Sequence, residues 1–537
     1  GDGVLPEQMP IIAADGRPLA ARLPHRATAA WCALVVIAWG VMAAWMYHLQ
    51  GLTLSHYDAK AHLVVARRVI DSITPGWQQI GAVWLPLPHL LNLLPVQIDA
   101  LYRTGASGIA ISIVSMGVAA YAGAAIVLRA SGSRAATVLC AGLLALNPNI
   151  LYLQSTPMTE PLLIALLMLG AMSMHAWACE GGSGWRRAAG LSLAAACLTR
   201  YEAWPFTGAV LALAPWARWR SGESLPTVLR DAIIIACYPV FAILLFLLNS
   251  KLSIGHWFVT GGFYVPDPRL QGHVFTVTSA VWWGAWQLGS LTVVAGGTAA
   301  AVVLAAVALR ERTRAALVVP LALFAVAALP WYAYFEGHPF RIRYMVPMVA
   351  AAILALSLGV GLLPRRLRSL SAALAVAGVL ITTRPFDPRA AMVLEAQWDR
   401  PNSRARQDVT ACLPLVTPRP TIMASMGSLA HYMQELSQAG FSIRDFLHEG
   451  NGDIWLAALN GPARYVGWML IEERAEGGDM LNQRAVKDRG FLAGFERVCA
   501  GGGVALYRNR DAGSHAREGA RPGVADIRSE SGTPPGK

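Results

Sequence analysis

Residues 106–134 read ASGIAISIVSMGVAAYAGAAIVLRASGSR. Nothing from Ala106 to Leu128 carries a charge, and Arg129 and Arg134 then close the stretch. A helix needs about 20 apolar residues to cross the hydrocarbon core of a bilayer. Lipid offers no partner for backbone N–H and C=O groups, so a run of that length must satisfy them internally, as a spanning helix. The arginines set its direction, because short loops rich in Lys and Arg stay on the cytoplasmic side.

The same pattern repeats on both sides. Further spans read at 28–48, 135–152, 158–178, 188–200, 203–216, 231–249, 281–309, 315–334, 344–363 and 370–384, which with 106–128 predict about eleven transmembrane helices. With the N-terminus in the cytoplasm, the inside loops are 129–134, 179–187, 217–230, 310–314 and 364–369. All carry arginine: Arg129 and Arg134; Arg186 and Arg187; Arg218, Arg220 and Arg230; Arg310, Arg312 and Arg314; Arg365, Arg366 and Arg368. Dropping one helix before Arg310 would break that register, which supports counting 188–216 as two crossings. The first run follows Arg22 and Arg26 as a signal peptide would, but it is too long for one and lacks a clear cleavage site, so it reads as a retained helix.

Composition agrees. The 537 residues are 55% hydrophobic and 14% charged, against roughly 25% charged in a soluble domain. The net charge of +12 comes from arginines in short loops, without a nucleic-acid motif, so nucleic acid is not expected as a partner. The fold class is a polytopic α-helical membrane protein with a C-terminal soluble α/β domain. We divide it into a cytoplasmic tail at 1–27, a membrane domain at 28–384, an extracytoplasmic α/β domain at 385–510 and a disordered tail at 511–537. In the α/β part, Thr421–Ser425 and Ala463–Ile471 read as buried strands and Phe495–Arg508 as a hairpin turning at Gly501–Gly503. Its only cysteines are Cys412 and Cys499; an oxidising compartment would favour pairing them, and the sequence leaves the geometry open.

The outer loop 50–105 is not a plain linker. His62, Leu63, Ala66, Val69 and Ile70 recur at helical spacing and suit an interfacial amphipathic helix. Val83–Val96 is apolar but broken by Pro86, Pro88 and Pro95, so it should lie along the surface or re-enter. Asp58, within His56-Tyr57-Asp58-Ala59-Lys60-Ala61-His62, could take a proton from a hydroxyl; its plain reading is an acid at a helix start. His56 and His62 flank it, but six residues apart they do not share a helix face, so no cofactor is indicated and a divalent metal stays open. Glu160 opens the fourth span, with Thr156 and Pro157 resembling a cap and first turn.

Arginine on the outer side runs against the usual charge bias. Arg200 with Tyr201 and Glu202, His338 with Arg341, Arg343 and Tyr344, and Lys251, His256 and Arg269 all fall there. Snorkelling to headgroups explains any one of them, while a phosphate ligand would explain the group, since guanidinium forks match phosphate oxygens. Trp282, Trp283 and Trp286 read as an interfacial aromatic belt, and His431, His448 and Asp453 as surface residues.

Three motifs in order carry a resemblance: Asp58 in a long outer loop leading to Trp84-Leu85-Pro86-Leu87-Pro88-His89, Thr159-Glu160-Pro161, and Arg341-Ile342-Arg343-Tyr344-Met345-Val346-Pro347. Over residues 28–384 the chain resembles the membrane glycosyltransferases of the C superfamily, in particular bacterial family 39 relatives of protein mannosyltransferases and aminoarabinose transferases. The resemblance implies a multi-pass protein of the bacterial plasma (inner) membrane. It also implies transfer from a polyprenyl-phosphate sugar to an acceptor hydroxyl, with inversion. Asp58 would be the base, and Arg343 with its neighbours would hold the phosphate. The candidate site is thus Asp58 and Glu160 as catalytic acids; Arg341, Arg343, Arg200 and Lys251 for the donor phosphate; and His56, Tyr57, His62 and Tyr344 as substrate contacts. Where many relatives have adjacent Asp-Glu, this chain has Asp58-Ala59, which leaves the subgroup and any metal requirement open. A lipid-sugar flippase or other transporter is the alternative; it calls for paired broken helices and internal repeats.

Overall fold

The structure, a computed structural model, describes residues 19–259, 265–413, 419–474 and 479–510, with side chains described from residue 27 onward. The expected tail 511–537 and most of the expected tail 1–27 lie outside the described residues. The chain forms two compact units. One is helical and takes in residues up to Asp71, Pro75–Arg400 and His431–Gln438; the other takes in Ser72–Thr74, Pro401–Ala430 and the residues from Ala439 on.

In the helical unit every expected span is met by a helix. Among the described residues seven are long and apolar enough to cross a membrane alone: Ala27–Leu49, Ala106–Ser131, Glu160–Glu180, Leu225–Ile254, Val274–Arg310, Arg312–Phe335 and Ile342–Leu362. The remaining expected spans are shorter helices, Arg134–Leu146 continued by Pro148–Leu153, Ser183–Cys197, Ala203–Arg220 and Arg365–Thr382. The protein is a multi-pass helical membrane protein. Close approach between helices comes from small residues, as lipid-embedded packing requires: a side-chain carbon at Gly297 would collide with the backbone of Ala352 in the neighbouring helix. The arginine-bearing loops meet at one end. Arg129 pairs with Glu180, Arg218 reaches Trp177, Arg220 reaches Leu309, Ser221 reaches Arg312 and Arg368 reaches Ser131.

Two spans differ from their expected form. The run 135–152 is not one helix: Pro148 lacks an amide hydrogen and pushes the residue before it out of helical geometry, so the helix stops and restarts with Asn147 capping Asn149 and Ile150. The helix Val274–Arg310 is interrupted at Ser290, at φ 70°. The two breaks face each other. The Leu288 carbonyl freed by the second accepts from Asn147 Nδ2 at 2.7 Å and Asn149 Nδ2 at 3.0 Å, so neither break leaves that group unpaired.

The expected interfacial helix is also corrected. Tyr57–Arg67 is a helix, but Ala59–Arg67 are all buried, so beyond its first turn it has no solvent or headgroup face; Val69 and Ile70 fall beyond its end. The stretch 83–96 forms short turns, Leu87–Asn92 and Pro95–Gln97, each with proline in its first turn. The helical unit also runs past the expected boundary at 384 to Arg400. The reason is the helix Ala391–Ala396, whose Met392, Val393, Glu395 and Ala396 are buried and whose Met392 amide donates to Asn149 Oδ1 at 2.9 Å.

The second unit holds a five-stranded sheet in the order β2-β1-β3-β5-β4, with β1 Ile422–Ala424, β2 Phe446–Leu447, β3 Trp468–Glu472, β4 Phe495–Gly501 and β5 Val504–Asn509. β1 pairs in parallel with β2 and β3, while β5 is antiparallel to β3 and β4. The β4–β5 hairpin turns as expected, at Gly502 and Gly503, both at positive φ, which glycine adopts without steric cost. Met423, Trp455, Met469, Phe491 and Phe495 fill its core, and Cys412 and Cys499 form a disulfide. His448, expected at the surface, is buried and caps the turn after it by accepting from the Gly450 amide at 3.1 Å.

Candidate active site

The helix Tyr57–Arg67 begins on a histidine cap: His56 Nδ1 accepts from the Asp58 amide at 3.1 Å. An imidazole that accepts at Nδ1 carries its proton at Nε2, and that nitrogen donates to Glu395 Oε1 at 3.3 Å. One side chain thus fixes the first turn, which bears Asp58, against a distant acid.

Arg343 comes from the single turn Ile342–Met345 that leads into the helix Val346–Leu362. Its guanidinium meets acids from three other segments. Nη2 donates to Asp58, Nη1 donates to Glu395 Oε1 at 3.1 Å, and Nε lies 3.7 Å from Glu160 Oε1. Side-chain exposure is 14% for Asp58, 9% for Arg343, 1% for Glu395 and 0% for Glu160, so Asp58 is the acid nearest to solvent.

Glu160 pairs chiefly with Arg200, whose Nη1 stands 2.9 Å away. Arg200 also donates to Thr159 Oγ1 at 3.0 Å and to Glu202 Oε1 at 2.7 Å. The expected cap at Thr156 and Pro157 is absent, because the Thr156 hydroxyl donates back to the Leu153 carbonyl at 2.6 Å and closes the preceding helix. Thr159 precedes Glu160 instead, its hydroxyl turned to Arg200 and not to the helix backbone. The guanidinium carbons of Arg200 and Arg343 lie 5.7 and 5.6 Å from the centre of the Tyr344 ring, within reach of its π face.

Of the sequence candidates, Asp58, Glu160, Arg200, Arg343, His56 and Tyr344 therefore meet in one cluster. Tyr57 packs against His56 with ring centres 4.7 Å apart and the rings tilted by 30°. Arg341 is half-buried beside the cluster and its Nη1 reaches the Phe340 carbonyl at 3.3 Å. Two candidates stand apart. Lys251 is exposed, since the helix Leu225–Ile254 runs on past it, and its ammonium caps that helix through the Gly255 carbonyl at 2.8 Å. His62 turns to His89, 3.1 Å from Nδ1 to Nε2, and to Trp84, with ring centres 4.1 Å apart. Nor does Arg269 join the cluster: it pairs with its neighbour Asp267.

Glu395 was not expected. Its signal in the sequence is a lone acid inside the apolar run Ala390–Ala396. Burial pushes its carboxyl up, but the bond from His56 and the charge of Arg343 outweigh that and hold it below the usual carboxylate range. Burial drives both His62 and His89 to their neutral form, His62 well below its ordinary value and His89 down to about 3. Four carboxylates, on Asp58, Glu160, Glu202 and Glu395, face two guanidiniums, the half-buried Arg200 and the buried Arg343. Among the described residues no group of three or more His, Cys, Asp or Glu is set to hold a metal ion.

The overall fold has a counterpart among solved structures. The fold is similar to that of ArnT from Cupriavidus metallidurans. Against ArnT bound to undecaprenyl phosphate the identity is 13% and the TM-score 0.57, covering 89% of this chain and 97% of that one. Against ArnT in the apo state the identity is 14% and the TM-score 0.53, with the same coverage. At such identity the likeness is one of fold alone, and nothing in it singles out family 39. No family model and no curated protein sequence matches the chain.

Proposed function

We propose that this chain is an integral-membrane glycosyltransferase of the bacterial plasma membrane. It moves a sugar from a polyprenyl-phosphate donor to an acceptor hydroxyl at the non-cytoplasmic face, with inversion. The observation that carries the reading is Asp58, a carboxylate at the open edge of a buried cluster, in contact with Arg343. A hydroxyl is too weak an acid to ionise in advance, so its proton passes to Asp58 as the oxygen attacks the sugar. The bond from sugar carbon to phosphate oxygen breaks on the opposite face, and negative charge builds on the departing phosphate. Guanidiniums already aimed at that place stabilise it without reorganising, which suits Arg343 with Arg200 and Arg341 nearby. Glu160, fully buried, is the second acid of the site and holds Arg200 in place. Lys251, exposed and spent on its own helix, has no part in this reading.

The donor class follows by analogy of fold with ArnT, described as bound to undecaprenyl phosphate. A transporter would leave the groups freed by broken helices facing a substrate. Here the Leu288 carbonyl freed at Ser290 is taken by Asn147 and Asn149, which favours the enzyme. The test is mass spectrometry of membrane lipids and envelope glycans from cells with and without the protein. Loss of a sugar from an acceptor, with its polyprenyl-phosphate form accumulating, is expected. Unchanged acceptors, with donor trapped on one leaflet, would favour the transporter.

A further inference from the structure

Glu395 plays no part in the chemistry just described, yet it is among the least exposed members of the cluster. It stands on a braced frame. The first turn of its helix is tied to Asn149 through the Met392 amide, and Asn149 is tied to the Leu288 carbonyl. Its Oε1 receives two donors, Arg343 Nη1 at 3.1 Å and His56 Nε2 at 3.3 Å. The two ends of the Arg343 fork therefore differ. One is locked against Glu395, at 1% exposure, and the other meets Asp58, at 14%.

A guanidinium presents its donors in a rigid plane, so one edge can stay bound while the other changes partner. A phosphate oxygen arriving from the open side carries the same sign of charge as Asp58 and seeks the same N–H. With four carboxylates already facing two guanidiniums, an added anion fits best when one carboxylate yields its place. Asp58, at the accessible edge, is the acid free to yield. Once released from Arg343 its oxygens are free to receive a proton.

We infer that Glu395 is a positioning residue: it anchors the inner edge of Arg343 and the ring of His56, so that the outer edge of Arg343 passes from Asp58 to the donor phosphate while the guanidinium stays aimed. This rests on the glycosyltransferase reading of the same site.

The test titrates the full chain, in detergent micelles, with undecaprenyl phosphate. Arg343→Ala is expected to bind it 10- to 100-fold more weakly than wild type, and Asp58→Asn as tightly or more tightly, because a competitor for the guanidinium is gone. Glu395→Gln is expected to weaken binding about tenfold in the wild-type background and to have no further effect in Arg343→Ala, where nothing remains to be aimed. Glu395→Asp, which keeps the charge one methylene short, falls between wild type and Gln and carries the test if the Gln protein does not fold. A glutamate that only supported the fold would weaken binding equally in both backgrounds, and that result overturns the proposal. So does an Asp58→Asn protein that loses as much affinity as Arg343→Ala. A folded wild-type chain that binds no undecaprenyl phosphate would instead bring down the glycosyltransferase reading itself, and this inference with it.

Discussion

At the end of the helical unit where the arginine-bearing loops meet, arginine serves helix ends. Arg218 Nη1 donates to the Trp177 carbonyl at 2.9 Å, and Arg368 Nε donates to the Leu363 carbonyl at 2.8 Å. Both carbonyls lie in the last turn or at the cap of a helix, where its partial negative charge gathers. The ion pairs there include Arg129 with Glu180, both partly exposed, and the partly exposed Arg186 with the buried Asp231. At the opposite end Arg200 and Arg343 donate to carboxylates, two guanidiniums among four acids, all largely shielded from solvent. Taking such charges out of water costs several kcal/mol per ion, and apolar packing would often stabilise a fold as well or better. The same residue type therefore does two jobs. Topology and capping account for the first end; for the second, the proposed donor phosphate supplies a reason.

The comparison makes predictions at both ends, and the largest effect is all or none. Reporter fusions after Arg312 and Arg366 should report the cytoplasm, and a fusion at Arg508 the outside. A cytoplasmic signal at Arg508 would break the assignment of the two ends. Next in size is Asp58→Asn, which keeps volume and hydrogen bonding but removes basicity. Sugar transfer should fall by about 10²–10⁴ with insertion unchanged. Transfer near the wild-type rate would return Asp58 to the status of a helix-start acid and make Glu160 the residue to test.

Arginine replacements then set the ends directly against each other. Arg343→Ala should weaken donor binding by one to two powers of ten, the loss of about 2–3 kcal/mol from a charge-assisted contact. Arg368→Ala, at the other end, should leave donor affinity unchanged and at most lower protein yield. Equal losses from both would erase the distinction.

How far the sequence carries this depends on the range of the signal. Apolar length and arginine parity are local, and they located every helical span, as the positions of glycine located the Gly502–Gly503 turn. The meeting of Asp58, Glu160 and Arg343 in one cluster was partly legible because each opens or precedes a helix. The breaks were less so: Pro148 is visible in the sequence, but the partners that take the carbonyl freed at Ser290, Asn147 and Asn149, are brought to it by tertiary structure. Tyr57–Arg67 looked amphipathic because Lys60 and Arg67 are charged, yet both are buried against acids remote in sequence, Lys60 on Glu435 at 2.5 Å and Arg67 on Asp99 at 2.6 Å. Glu395 was lost for the same reason. Its partners, His56 and Arg343, are brought to it by tertiary structure alone.

The smallest effect expected is a pH dependence confined to one end. His62 and His89, outside the spans, are held neutral by burial, with His89 brought down to about 3. In the unfolded chain both would titrate near 6.5. Below that value the unfolded form takes up protons that the folded form refuses, so stability falls with pH, by up to about 1.4 kcal/mol per unit for each histidine until its folded pKa is reached. Glu395 has the depressed pKa of a carboxylate, so its contribution is complete above its unfolded value and is lost only at lower pH, after the histidines have acted. The arginines that cap helices at the other end do not titrate in this range at all. Hydrogen exchange, corrected for the intrinsic chemical rate, should therefore show residues 57–97 losing protection between about pH 7.5 and about pH 5.5, with residues 214–230 unchanged. Replacing His89 with Gln should flatten that loss, since one of the two titrating groups is gone. A uniform loss across both segments, or none, would mean that the His62–His89 contact does not single out this end, and the contrast would then rest on the arginines alone.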